Sequence, residues 1–292
     1  MKANSKANIK LKGSEGFDTY YSCIFGSRWN ALKEALLSES IYVELAFGGE
    51  QNYFLDPASV CAALCLPVRN ADKVLDLCAA PGGKSLVLAG NVSEGSVLYS
   101  NELSAERKMR LSKVIAQTLP ESLSKRVSVS CSDGATWCRR ETEVYDSILL
   151  DVPCSSERHV MQDSKYLNEW SESRTRQLAV EQWALLSCAW RLLKKSGFLV
   201  YSTCAISPCE NDGIISRLIK KFDGVRIVNR KEIEEFFIEN RECFCGKINE
   251  GSNIVLQDVL KNAEETDFGL HIMPDSANGA GPIFFSVMQK LT

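Results

Sequence analysis

The 292-residue chain has almost no histidine; His159 and His271 are the whole supply. A zinc centre built on paired imidazoles is therefore not expected, and no metal is expected. Long apolar runs are missing as well, and none approaches the roughly 20 residues a membrane-spanning helix requires. Neither sign of charge dominates, since 34 basic against 37 acidic side chains leave a net charge of −3. That balance excludes a uniformly basic nucleic-acid wrapper and leaves room for a local basic groove. Proline is scarce at 8 residues and 45% of the chain is hydrophobic, which is not the composition of a disordered or fibrous protein. The amino-terminal segment has no apolar core of the secretory kind, and the first arginine is Arg28. The expectation is a cytoplasmic protein, or a mitochondrial one if a transit peptide is missing from this sequence.

Cysteine, in contrast, is plentiful, with twelve residues. Without an export signal these read as free thiols. The close pairs Cys61/Cys65 and Cys243/Cys245 lack a second pair, or a histidine pair, at zinc-ligand spacing.

Residues 1–16 read as a basic tail bearing Lys2, Lys6, Lys10 and Lys12. Residues 17–70 read as a small helical lead-in: Trp29, Leu32, Leu36 and Leu37 recur at helical spacing, and Asp56-Pro57 offers a cap and a first-turn proline. The turn at Asn70-Ala71-Asp72 divides this region, 1–70, from a second one, 71–292. From residue 73 strand and helix alternate. Strands are expected at 74–77, 96–100, 127–130, 147–150 and 198–201, and two more at 270–273 and 284–288. A helix is expected over about 104–117, and a long one over 175–195 with Lys194 and Lys195 in its last turn and Gly197 as its C-cap. This pattern specifies an α/β fold, a doubly wound and mostly parallel sheet.

In such sheets ligands bind beyond the carboxyl ends of the strands. Those ends carry Cys78-Ala79-Ala80-Pro81-Gly82-Gly83-Lys84, then Glu102, Asp133-Gly134, Asp151-Val152-Pro153-Cys154, and Thr203-Cys204. The first turn is not a phosphate-cradling P-loop, because Cys78 stands where that loop needs glycine and Pro81 restricts the turn. Nor does it have three spaced glycines for a dinucleotide. It still lets a ligand approach the backbone closely. Glu102, 19 residues after Gly83, stands where an acid chelates ribose hydroxyls. Asp133 is either an acceptor for an adenine amino group or simply a turn-forming residue before Gly134.

The segments Cys78 to Lys84, Asp151 to Cys154 and Ser202 to Cys204 resemble the motifs of the Sun/Nop-type RNA cytosine-5 methyltransferases, and the likeness runs from about Tyr20 to the carboxyl terminus. The stretch holding Tyr20-Tyr21, Phe25-Gly26, Trp29 and Leu36 to Glu39 is most similar to the branch of the mitochondrial small-subunit rRNA enzyme. The resemblance implies a Rossmann-like class I methyltransferase fold with a seven-stranded sheet, and S-adenosylmethionine as cofactor. It implies that Cys78, Ala79, Ala80, Pro81, Gly82, Gly83 and Lys84 wrap the methionine portion. It also implies that Glu102 holds the ribose, Arg107 packs nearby, Asp133 meets the adenine and Asp151 touches both methyl donor and target base. Cys204 would be the nucleophile and Cys154 the residue that helps release product. Departures from the family pattern are Leu55 before Asp56, Ser156-Glu157-Arg158 after the Pro-Cys motif, Cys209, and Pro274-Asp275 and Gly281-Pro282 near the end.

The chemistry explains the thiols. Carbon 5 of cytosine becomes nucleophilic only after a thiolate adds to carbon 6, and the adduct must later be broken, a reason for a second cysteine. Residue types alone do not say which thiol attacks. Arg158, next to the Pro-Cys turn, is the expected RNA contact. The expected partner is RNA, in particular rRNA or a ribosomal subunit, with tRNA as the alternative. A protein supplying RNA specificity is a possible partner, no membrane is involved, and the chain is expected to be a monomer. The rival from another class is a non-catalytic RNA-binding assembly factor that retains the fold.

Overall fold

The computed structural model describes residues 11–292; Lys2, Lys6 and Lys10 of the expected basic tail lie outside them. The strands are β1 (Val43–Leu45), β2 (Tyr53–Leu55), β3 (Lys73–Asp76), β4 (Val97–Glu102), β5 (Val127–Cys131), β6 (Tyr145–Asp151), β7 (Leu193–Thr203), β8 (Val225–Ile227), β9 (Glu264–Glu265), β10 (Leu270–Ile272) and β11 (Ile283–Lys290). The helices are α1 (Gly13–Phe25), α2 (Trp29–Leu37), α3 (Pro57–Leu64), α4 (Gly83–Ala89), α5 (Ala105–Thr118), α6 (Glu121–Ser124), α7 (Glu157–Gln162), α8 (Ser164–Glu169), α9 (Glu172–Leu192), α10 (Asp212–Lys221), α11 (Arg230–Glu242) and α12 (Glu250–Lys261).

The central sheet runs β5-β4-β3-β6-β7-β11-β10-β9. β5, β4, β3, β6 and β7 are parallel, and β11 enters antiparallel between β7 and β10. All seven expected strands form. Two short ones are added, β9 at the edge and β8 on β11, so the described sheet has nine strands. Strand order reverses between β3 and β6, which opens the crevice where doubly wound sheets bind ligands. Val200, Phe285 and Val287 face one core with Ala62, Leu86, Leu111 and Leu256 from α3, α4, α5 and α12. Leu199, Tyr201, Phe284 and Met288 face the other with Leu186, Trp190 and Ile215 from α9 and α10. Burial on both faces explains why these strands read as continuous apolar runs.

A third cluster joins α1 and α2 to the region after β6. Phe17, Tyr21, Trp29, Leu32 and Leu36 pack on Met161, Trp170 and Ile206. Leu37, expected in the same stripe, is 52% exposed, because the helix ends there and Ser38 turns away in extended conformation. The tail boundary moves too. α1 starts at Gly13, whose amide donates to Trp170 O at 2.9 Å; this long-range tether carries no apolar periodicity and so left no sequence signal. Asp56 does cap α3, accepting from the amides of Ala58 and Ser59.

The long helix ends earlier than its charge pattern predicts. α9 stops at Leu192, and Lys194, Lys195 and Gly197 belong to β7. Leu193 pairs with Tyr145, the register then shifts, and pairing resumes at Ser147↔Phe198. Lys194 Nζ donates to Asp146 Oδ1 at 2.6 Å rather than to helix carbonyls, and Ser196 takes the positive φ of 63° in place of Gly197. The signals that suit a helix end serve a bulged strand start equally well.

Candidate active site

Every strand end singled out above lies on the carboxyl edge of the sheet. The loop after β3 is fixed from below by Ala79 N donating to Asn101 O at 2.8 Å. Gly82 has φ 122° and opens α4, a conformation glycine adopts at little cost. At Gly83 a Cβ would meet Leu55 at 2.8 Å and Tyr53 at 3.0 Å, so the β1–β2 hairpin closes over this turn. Arg107 Nη2 donates to Ala80 O at 2.7 Å, and its Nη1 lies 3.4 Å from Glu102. Glu102 is 3% exposed and accepts from Ser104 N. Asp133 is exposed and accepts from Ala135 N at 2.9 Å, so it shapes the turn.

Between these groups lies a small cleft of about 50 Å³ lined by Tyr53, Leu55, Asp76, Cys78, Lys84 and Asp151. Asp76 was not singled out from sequence, where it reads as the interior end of a strand. It is 1% exposed. Its Oδ2 accepts from Ser85 Oγ at 2.6 Å, and its Oδ1 has no partner. Burial pushes its carboxyl up to about 7. An unpartnered buried acceptor beside a glycine turn, with Glu102 at the next strand end, fits a ligand bearing an ammonium group and a ribose diol. S-adenosylmethionine is such a ligand. Lys84, expected in the wrap around the cofactor, lines the cleft, and its Nζ donates to Asp151 Oδ2 at 2.8 Å. Burial alone would lower the Lys84 pKa, but the Asp151 carboxylate outweighs it and holds the ammonium above its usual range. Asp151 Oδ1 accepts from Ser202 Oγ at 2.8 Å.

The two thiols meet. Cys154 Sγ and Cys204 Sγ are 3.1 Å apart, and Ser156 Oγ is 3.2 Å from Cys204 Sγ. The turn that places Ser156 requires φ 52° at that residue. Hydrogen bonds from Cys154 and then Ser156 lower the Cys204 pKa against the effect of burial. Cys154 moves the other way, raised well above a free thiol by donating to Cys204 and by burial. These opposite directions make Cys204 the more readily ionised of the two thiols.

Cys204 opens on a cavity of about 280 Å³ whose wall includes Tyr42, Asp56, Ser59, Arg158, His159 and Pro282. Arg158, expected to reach RNA, is occupied elsewhere. Nη2 donates to Ala35 O at 3.0 Å, Nη1 to Gly279 O at 2.9 Å and also to Gly281 O, and Nε to Leu36 O at 3.4 Å. With Asp56 Oδ2 accepting from Gly281 N at 3.0 Å, it fixes the cavity wall.

A parallel sheet closed by one antiparallel strand, with a glycine turn after its first strand and facing thiols after its fourth and fifth, defines a methyltransferase-type α/β site. The chain belongs to the 16S rRNA methyltransferase RsmB/F family, which it matches over residues 63–270. Sun-family methyltransferases use S-adenosylmethionine. The chain is 35% identical to the mitochondrial tRNA (cytosine(34)-C(5))-methyltransferase of Danio rerio over 83% of its length and 61% of the relative's. It is 37% identical to the 5-cytosine rRNA methyltransferase NSUN4 of Bos taurus, over 82% of its length and 60% of the relative's. It thus spans about three fifths of the curated relatives it matches. The crystal structure of a methyltransferase homolog protein from Pyrococcus horikoshii shares the fold, with TM-score 0.64, 20% identity and 96% coverage of each chain.

Proposed function

We propose that this chain methylates carbon 5 of a cytosine in ribosomal RNA. The observation that carries this reading is the 3.1 Å contact between the sulfurs of Cys204 and Cys154 at the carboxyl edge of the sheet. S-adenosylmethionine, held by the 78–84 turn, Asp76 and Glu102, supplies an electrophilic methyl group. Cys204 adds to carbon 6 of the base and makes carbon 5 nucleophilic. Asp151, oriented by Lys84 and Ser202, faces the polar edge of the base. Cys154, beside the carbon–sulfur bond, assists loss of the carbon-5 proton and departure of the thiolate. The target base must be unpaired or flipped to reach the sulfur. The catalytic groups all fall within 71–292, and residues 1–70 supply the covering hairpin and Asp56.

The deciding measurement is a denaturing gel of RNA incubated with enzyme and cofactor. Cys204→Ala gives neither methylation nor adduct, and Cys154→Ala accumulates a covalent RNA adduct; an adduct from Cys204→Ala overturns the assignment. Bisulfite sequencing of rRNA and tRNA from cells lacking the gene tests the substrate. The zebrafish relative's name favours tRNA as the second reading, and a site lost from tRNA alone would select it. That same name, which carries the word mitochondrial, supports the organelle over the cytoplasm, and fractionation decides. Among the described residues no helix is long and apolar enough to cross a membrane. We take the active form to be a monomer, helped by a protein partner in RNA choice; sedimentation and affinity capture check both.

A further inference from the structure

Directly behind the thiols lie two carboxyls that the reaction above does not use. Glu157 and Glu210 are both fully buried. Glu157 accepts from Tyr21 OH, from Ser155 Oγ and from Ile206 N, the last at 3.0 Å. Glu210 accepts from Ser155 Oγ, from Ser155 N at 3.0 Å and from Gln182 Nε2 at 2.7 Å. Ser155 follows Cys154, and Ile206 lies two residues beyond Cys204. The pair therefore ties together the two turns that carry the sulfurs.

The hydrogens along this chain do not add up if both carboxyls are ionised. Three contacts in a row, Tyr21 OH to Glu157, Glu157 to Ser155 Oγ, and Ser155 Oγ to Glu210, each require a hydrogen. Tyrosine and serine each supply a single one. The third must come from a carboxyl. No cation compensates two charges: the titratable groups facing the pair are Tyr21 from α1, Tyr201 from β7, and Cys154, Cys204 and Cys209 from the turns. No lysine, arginine or histidine pairs with either carboxyl among the described residues.

We propose that Glu157 and Glu210 share one proton across Ser155 and act as positioning residues that hold Cys154 against Cys204. Burial and the neighbouring Glu157 charge push Glu210 up to about 7, in keeping with this. Loss of the shared proton leaves two buried anions on two hydrogens, loosens the Ser155 turn and adds negative charge beside Cys204, which disfavours its thiolate. The proposal rests on Cys204 being the reactive sulfur.

The experiment is iodoacetamide alkylation of Cys204 in the full chain, followed by peptide mass spectrometry from pH 5.5 to 9. Wild type should show two transitions, one from the thiol and one from the pair. Glu157→Gln, whose amide supplies the third hydrogen permanently, should show one transition. Glu157→Ala should react about tenfold more slowly near pH 7, the loss of thiolate for one unit of pKa, and glutamine should restore most of that rate. Superimposable wild-type and glutamine profiles, or an alanine variant as fast as wild type, overturn the proposal. If the alanine variant does not melt cooperatively, Glu210→Gln replaces it; a profile for that variant still showing two transitions overturns the proposal equally. The assay needs neither RNA nor cofactor, so failure of the methylation reading appears separately, as inactivity toward RNA.

Discussion

At Asp76 one carboxylate oxygen is bonded and the other is not, and the residue is almost wholly buried. Its carboxyl is raised from 3.8 to about 7, first by burial. Between those pH values the folded chain holds a proton that the unfolded chain has released. Stability contributed by the neutral carboxyl is therefore complete below about pH 4, falls as pH rises, and is gone above about 7, a span of the order of 4 kcal/mol. Asp76→Asn should flatten this dependence: the melting temperature of wild type, measured against the variant from pH 5 to 8, should fall steadily. Parallel curves would refute the assignment. Lys84 and Asp151 form a mostly buried ion pair, 11% and 32% exposed. Lys84→Met leaves Asp151 uncompensated and should cost about 1–3 kcal/mol, less than for a fully buried pair, as read by urea denaturation. At this scale the residues gathered at the carboxyl edge of the sheet were legible because their types are improbable together on one edge. Asp76 was not, since an acid ending an apolar strand has no local mark. Arg158 misled because adjacency in sequence does not reveal that carbonyls of α2 and of the 279–281 loop consume its donors.

Elements show the same division between local and remote causes. The cap at Asp56 could be read because capping is local. Its second role, holding Gly281 N, joins residues far apart in sequence and could not. Asp56→Ala should lose about 1 kcal/mol from the cap and, by freeing the 279–281 loop, should quicken proteolysis there; a stable loop with a weakened α3 would separate the two roles. The end of α9 was misplaced because lysines and a glycine suit both a helix stop and a bulge. What decides is Leu193, fully buried against β6. At Gly197 a Cβ would sit 2.7 Å from Asp146 O, so Gly197→Ala should cost about 1–3 kcal/mol by overpacking, measured as a fall in denaturant midpoint. An unchanged midpoint would show that the bulge can relax.

On the scale of the whole molecule, the parallel core was readable from alternating periods, while the β1–β2 hairpin, with strands of only three residues each, was too short to show a period. That hairpin and the 78–84 turn together line the cleft beside Asp76. S-adenosylhomocysteine should accordingly stabilise the protein by about 2.7 kcal/mol at one hundred times its dissociation constant, and ATP should not. Equal shifts with both, in a thermal melt, would argue against the cofactor.

β11 pairs with Thr203, the residue before Cys204, and the strand consists of residues 283–290. Residues 283–290 must therefore be present before the sheet can be completed around Cys204. Until that last strand docks, the cavity wall at Gly281 to Ile283 is absent and so is the neighbouring pairing that fixes the end of β7. A chain without residues 281–290 carries the same sulfur atoms and lacks that enclosing wall.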